Sequence, residues 1–255
     1  MTGLQLGLFD ALRHAAAPPA PGLRRFDDGS RRFDYTLRHA SRRSIGIRVG
    51  DQGVVVSAPR WVAQRQLQSV LADKAAWVVK QLAQREQRQL AQQAARIDWR
   101  AGGTLPYLGC ELTLRLGAPG AAARRVDAEL LLPLPSDCSA ARIRDSAQAW
   151  MQHEAQALFE TRSGHFAQLL GVTVRTVKLS SAATRWGSAS RDGTLRLHWR
   201  LLHFTPELVD YVIAHEVAHL REMNHGPRFW ATVGELFPDW RDARHALRRS
   251  LLPPW

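Results

Sequence analysis

The sequence predicts an α+β fold, with β-hairpins and helices in the N-terminal part and a C-terminal domain built on one buried helix. Three observations predict it. Short alternating apolar and polar runs, bounded by Gly, Asp and Pro, recur between residues 33 and 132 and read as strands. Two long segments, 62–95 and 140–170, carry apolar residues at helical spacing. A further helical stretch opening at Thr205 is apolar nearly all round, yet it holds His215, Glu216 and His219.

Residues 1–30 read as a disordered tail. Ala15–Gly22 has the Ala- and Pro-rich composition of a linker and builds no core. Before it, Gln5-Leu6-Gly7-Leu8-Phe9-Asp10 resembles the short peptide by which bacterial proteins dock on the DNA polymerase sliding clamp. In that reading the binding residues are Gln5, Leu6, Leu8 and Phe9, with Leu8 and Phe9 filling an apolar pocket and Gln5 making a polar anchor. The competing reading is an amphipathic scrap that folds back on the domain.

The run 33–39 alternates, and so does 44–49; Gly50–Gly53 is a turn, Val54–Ser57 the returning strand, and Pro59 ends it. The helix that follows is expected to break near Asp73, with Leu67, Val70, Leu71, Trp77, Val78 and Leu82 as its inner stripe. Gly102, Gly103 and Gly109 punctuate a second hairpin, 105–116 with 124–132, before the Pro133–Pro135 break. In the next helix Ile143, Ala147, Trp150, Leu158, Phe166 and Leu169 face inward, while His153 and His165 form no ligand pair and read as surface or structural residues. A strand over 172–179, a loop over 180–193 and a strand over 194–199 lead to the helix at Thr205.

That helix has Thr205 as N-cap, Pro206 in its first turn and Glu207 at the positive end of its dipole. His215 and His219, four residues apart, share a face and present two imidazoles to one point. Glu216 flanks that face, placed to reach a water without ligating. Two imidazoles that hold Zn²⁺ and a glutamate acting as general base are the HExxH arrangement. A catalytic zinc takes a third protein ligand, and His225 is the nearest candidate, just past the helix end at Asn224. Beyond it, a helix starts at Pro227, and a final basic helix carries Arg241, Arg244, Arg248 and Arg249; His245 there reads as solvated surface.

The loop string Thr184-Arg185-Trp186-Gly187-Ser188 suits a connection that shapes a cleft. Trp186 would wall a substrate groove and Arg185 would steady a substrate carbonyl or carboxylate. A structural turn with Trp186 plugging the core fits equally well.

Together, Thr184–Ser188, Leu197-His198-Trp199-Arg200-Leu201 and the run from His215 to Trp230 resemble the YgjP-like zinc metallopeptidases, relatives of the SprT and Spartan group. The resemblance extends from about Arg31 to the C-terminus, including Ser57-Ala58-Pro59 and Lys74–Trp77. It implies a gluzincin-like minimal protease fold, zinc on His215, His219 and His225, a catalytic Glu216, and a protein or peptide substrate. Ala189 departs from the cysteine that commonly follows the family's string. Since the family's ligands are histidines, that change should spare the metal.

The expected division is a tail over 1–30, an α+β region over 31–135 and the metallopeptidase domain over 136–255. The absence of a secretory signal, and two cysteines, Cys110 and Cys138, without a CxxC pair, point to a reduced cytoplasmic protein. No apolar run reaches the roughly 18 residues of a membrane span. The formal charge of +12, carried mostly by arginine, favours anionic partners, DNA above all, although an Ala- and Arg-rich composition also accounts for part of it. The alternative function is a DNA- or clamp-associated binding protein whose zinc is structural. Such a site would need a fourth protein ligand.

Overall fold

The computed structural model describes residues 22–117 and 120–255. The clamp-peptide residues Gln5, Leu6, Leu8 and Phe9 lie outside the described residues. The chain divides into two compact units, 1–90 and 91–255. This division falls late in a helix and not at 135, because the strands of 104–132 share a hydrophobic core with the helix that carries His215.

The first unit is a four-stranded sheet covered by a helix. Its strands are β1 (Leu23–Asp27), β2 (Arg32–His39), β3 (Gly46–Gly50) and β4 (Gly53–Ala58), in the order β1-β2-β4-β3. β2 and β4 run parallel and the outer pairs antiparallel. β1 lies within the stretch expected as tail; Phe26 stacks on Phe33 across the β1–β2 pair, centroids 5.0 Å apart. Two such buried rings contribute about 1.5–3 kcal/mol each, enough to order a short edge strand.

Helix α1 (Gln64–Ala94) is continuous and shows no break at Asp73, since nothing there interrupts its backbone ladder. Leu67, Leu71, Ala75 and Val78 form its buried stripe. Trp77, expected inside, is 44% exposed: a stripe running i, i+4, i+8, i+11 leaves it off the inner face.

The second unit begins with β5 (Thr104–Tyr107), β6 (Cys110–Leu116), β7 (Arg124–Val126) and β8 (Glu129–Leu132), ordered β5-β6-β8-β7. The single hairpin expected here is two, joined by a parallel β6–β8 pairing. Helix α2 (Ala140–Leu170) is capped by the Ser139 side chain, which accepts from the Arg142 N–H. It ends at Gly171, whose φ of 67° lets its N–H reach the carbonyls of Ala167 and Gln168. Phe159, Ser163, Phe166, Ala167 and Leu170 are its buried positions near that end, and Leu169, expected inside, is 61% exposed.

A three-stranded sheet follows, β9 (Thr176–Ser180), β10 (Gly187–Ala189) and β11 (Thr194–His198), ordered β10-β11-β9. β10 lies inside the stretch expected as loop. Trp199–His203 forms a 3₁₀ turn, so β11 does not run directly into the next helix. Helix α3 (Pro206–Ala218) is buried almost all round, as its sequence requires. Thr205 precedes it with extended backbone but makes no side-chain cap bond. Arg162 on α2 grips Asp210 on α3 through two bonds of 2.7 and 2.8 Å. Helices α4 (Pro227–Leu236) and α5 (Trp240–Arg249) complete the unit. Among the described residues, no helix is long and apolar enough to cross a membrane.

Candidate metal centre

His215 lies in the last turn of α3 and His219 directly after it, still in right-handed helical conformation with φ −63° and ψ −22°. The helix therefore ends earlier than expected, but the one-turn relation survives, and the two ring centroids are 5.1 Å apart. His225 comes from the connection to α4. Its Nε2 stands 3.1 Å from His215 Nε2, and one ligand atom from each of the three histidines lies within 4.8 Å of the others.

These distances fit a metal. Nitrogens about 2.0–2.1 Å from a tetrahedral zinc are about 3.3 Å apart, so one pair already matches and the third needs only a small side-chain adjustment. His219 Nδ1 lies 3.1 Å from the Glu222 carbonyl oxygen. In the neutral ring Nδ1–H donates there, which leaves the Nε2 lone pair for a cation. His215 Nδ1 is buried with no hydrogen-bond partner among the described residues.

The aromatic residues of α4 and α5 hold the three rings together. Phe229, fully buried, packs its ring 4.8, 4.4 and 4.7 Å from those of His215, His219 and His225. Trp230 stacks on His225 at 5.8 Å and on Trp240 at 4.4 Å. Arg244 lies over Trp230 and Arg241 over Trp240, at 4.6 and 4.5 Å. The exposed His225, on a connecting segment, is thereby fixed from behind by two helices.

Electrostatics favour neutral imidazoles. Burial, with smaller contributions from His219, His225 and Arg244, drives His215 down to about 3. Burial lowers His219 as well. Glu216 is 6% exposed, and burial pushes its carboxyl up to about 8 against the opposing pull of Arg185. A cation beside a buried carboxyl and neutral imidazoles relieves what burial costs each of them.

Two cavities flank Glu216. One of about 290 Å³ is lined by the three histidines, Gly187, Ser188, Ala189 and Met223. The other, about 250 Å³, is lined by Arg185, Trp186, Tyr211, Val212 and Leu247 and shares His215 and Glu216. Arg185 and Trp186 thus adjoin the centre, and Trp186, which lines the second cavity, also packs edge-on against His198 and Phe204. Ala189 faces the first cavity. Among the described residues, His153, His165 and His245 join no such cluster.

β10 is the edge of its sheet. His198 N–H donates to Trp186 C=O and Ser190 N–H to Thr194 C=O, so residues of that parity turn their backbone toward β11. The backbone groups of Gly187 and Ala189 consequently face the open edge. Sequence reasoning missed β10, Met223, Tyr211 and Leu247. The one signal available was Gly187, whose lack of a side chain leaves room for Glu216.

A family model described as YgjP-like, metallopeptidase domain, matches residues 43–250. Among solved structures, the chain is similar to the metallopeptidase zymogen abylysin of Pyrococcus abyssi, at 24% identity and a TM-score of 0.35, over 37% of this chain and 96% of that one. No curated protein matches it.

Proposed function

Because the chain belongs to the YgjP-like metallopeptidase family, we propose that it hydrolyses peptide bonds with zinc held by His215, His219 and His225 and with Glu216 as general base, in a gluzincin-like arrangement. The observation that carries this reading is the convergence of three imidazoles on an open cavity with a buried carboxylate beside them. Zinc bound there supplies Lewis acidity at the scissile carbonyl and acidifies water.

The chain's own residues do the rest. Glu216 accepts a proton from the attacking water and delivers it to the departing amine. The open edge of β10 pairs with an extended peptide through the backbone of Gly187 and Ala189, and so lays the scissile bond across the cavity. Trp186, Tyr211, Val212 and Leu247 form an apolar recess for a substrate side chain, with Arg185 exposed beside it to bind a carbonyl or carboxylate. A protein or peptide is the substrate.

A purely structural zinc is disfavoured, because no fourth His, Cys, Asp or Glu joins the cluster among the described residues. Free Cys110 and Cys138 support a cytoplasmic setting. The charge of +12 supports a place near DNA, in keeping with the SprT-like resemblance.

The test is cleavage of a mixed peptide library, read by mass spectrometry, together with zinc content. Wild type should carry about one zinc per chain and cleave; Glu216→Gln should carry zinc and not cleave. Cleavage that survives in Glu216→Gln removes the general base from the mechanism.

A further inference from the structure

The first unit holds a second concavity, unrelated to the metal centre. β2 and β4 pair in parallel, with His39 opposite Ala58, so the segments leaving their ends run side by side. Ala40 N–H bonds to Ala58 C=O at 3.1 Å, and Val62 N–H to Pro59 C=O at 3.3 Å. These two turns surround a cavity of about 460 Å³, with His39, Ser41 and Arg42 from one and Pro59, Arg60 and Trp61 from the other. That volume is within the range of about 300–1,000 Å³ usual for small-ligand sites.

Trp61 is 69% exposed, the most exposed large apolar side chain among the described residues. Its indole offers an open aromatic face to solvent. Around it the charge is one-sided: between residues 38 and 65 stand Arg38, Arg42, Arg43, Arg48, Arg60 and Arg65, against Asp51 alone. Asp51 is already paired with Arg85 at 3.1 Å. The carboxylates of β1, β2 and their turn are likewise paired, Asp34 with Arg25, Asp27 with Arg32 and Asp28 with Arg31. Among the described residues no carboxylate lies within ion-pair distance of Arg42, Arg43 or Arg60. The Arg42 guanidinium is laid over Gly46, where a Cβ would come within 2.6 Å of its Nη1. The glycine thus seats one cation at the cavity wall.

We infer that this concavity binds single-stranded nucleic acid, with a base stacked on Trp61 and the flanking phosphates on Arg42 and Arg60. A basic groove with an unoccupied aromatic face is the chemistry that unpaired strands use: every base has a π-face, and the backbone supplies one charge per nucleotide. A duplex hides its base faces and offers nothing to Trp61. An acidic peptide would satisfy the arginines but leave the indole unused. This inference deepens the proposed placement near DNA and is independent of the peptidase chemistry.

The experiment is fluorescence anisotropy of labelled dT15 and U15 with the full chain, over a range of salt concentrations. Wild type should bind. Trp61→Ala should weaken binding about tenfold and Trp61→Phe should keep most of it. The double variant Arg42→Glu, Arg60→Glu should lose binding at moderate salt, and at low salt its log–log salt slope should be shallower by about 1.4, for two phosphate contacts. All three side chains are exposed, so thermal unfolding should be unchanged. The dT15 and U15 arms distinguish DNA from RNA. Equal affinity in all variants would place the binding elsewhere and overturn the site while leaving the chain near nucleic acid. An oligo-glutamate peptide that competes as well as dT15, in a manner that depends on Trp61, would make the groove a peptide site. No binding of either strand at low salt overturns both the site and the placement near DNA, while the peptidase reading stands or falls on Glu216→Gln.

Discussion

Gly187 on β10 lies against the carboxylate of Glu216 on α3 so closely that a Cβ added to it would stand 2.6 Å from both Cγ and Oε1. Its φ is not in the left-handed region, so the glycine is there for space and not for backbone freedom. The edge strand can approach the buried carboxylate this closely only because the residue there has no side chain.

Gly187→Ala should therefore displace Glu216 and leave the histidines in place. The expected outcome is a fall in kcat/KM of about 10²-fold, the scale of a 1 Å misplacement of a reacting group. Zinc content should stay at the wild-type level. Equal loss of zinc and activity would mean that Gly187 supports the fold and not the base.

Glu216→Gln keeps the volume and removes the proposed proton acceptor. Its effect should fall on kcat, by about 10²–10⁴-fold, with KM little changed. Peptide binding measured by competition should survive, because the Gly187 and Ala189 backbone is untouched.

Removal of the metal should lower Tm, and added zinc should restore it, since an ion that binds only the folded state stabilises it by mass action. His225→Ala should abolish the zinc-dependent rise. His225 packs on Phe229 and Trp230 but is itself exposed, so the metal-free variant should unfold close to metal-free wild type. A zinc-dependent rise that persists in His225→Ala removes it from the ligand set.

The histidine cluster was legible because its signal is local: His215 and His219 are one helical turn apart with Glu216 between them, and His225 follows six residues later in the connection to α4. The buried α3 and the strands rich in Val and Leu were legible for the same reason. β10 was not, because three residues of Gly-Ser-Ala carry neither alternation nor β-branching, and only pairing with β11 makes them a strand. The inward placement of Trp77 and Leu169 failed because both helices offer more apolar residues than their buried faces use, and tertiary packing chooses among them. The parallel β2–β4 and β6–β8 pairings likewise rest on contacts between segments distant in sequence.

The same limit hid an acid-sensitive lock at His203. Its Nδ1 stands 2.8 Å from the Pro106 carbonyl, and Trp255 Nε1–H donates to its Nε2, also at 2.8 Å. A carbonyl only accepts and an indole N–H only donates, so the ring is the neutral Nδ1–H form with both nitrogens used. Trp255 also packs at 4.8 Å against both Trp99 and Trp199. Burial, opposed by the Pro106 bond, pushes His203 from 6.5 down to about 4. The folded value lies below the unfolded one, so the stabilisation is complete above about pH 6.5 and is lost as pH falls toward 4. The total is about 3 kcal/mol. Urea unfolding of wild type and His203→Gln should differ most at pH 7.5, with the gap closing by pH 4. Trp255→Phe keeps a ring but removes the donor that favours the neutral form, so the folded value rises and the acid-dependent loss shrinks. A gap between wild type and His203→Gln that does not change with pH would show that packing alone, and not the charge state of His203, ties the C-terminal segment to the 3₁₀ turn that leads into α3.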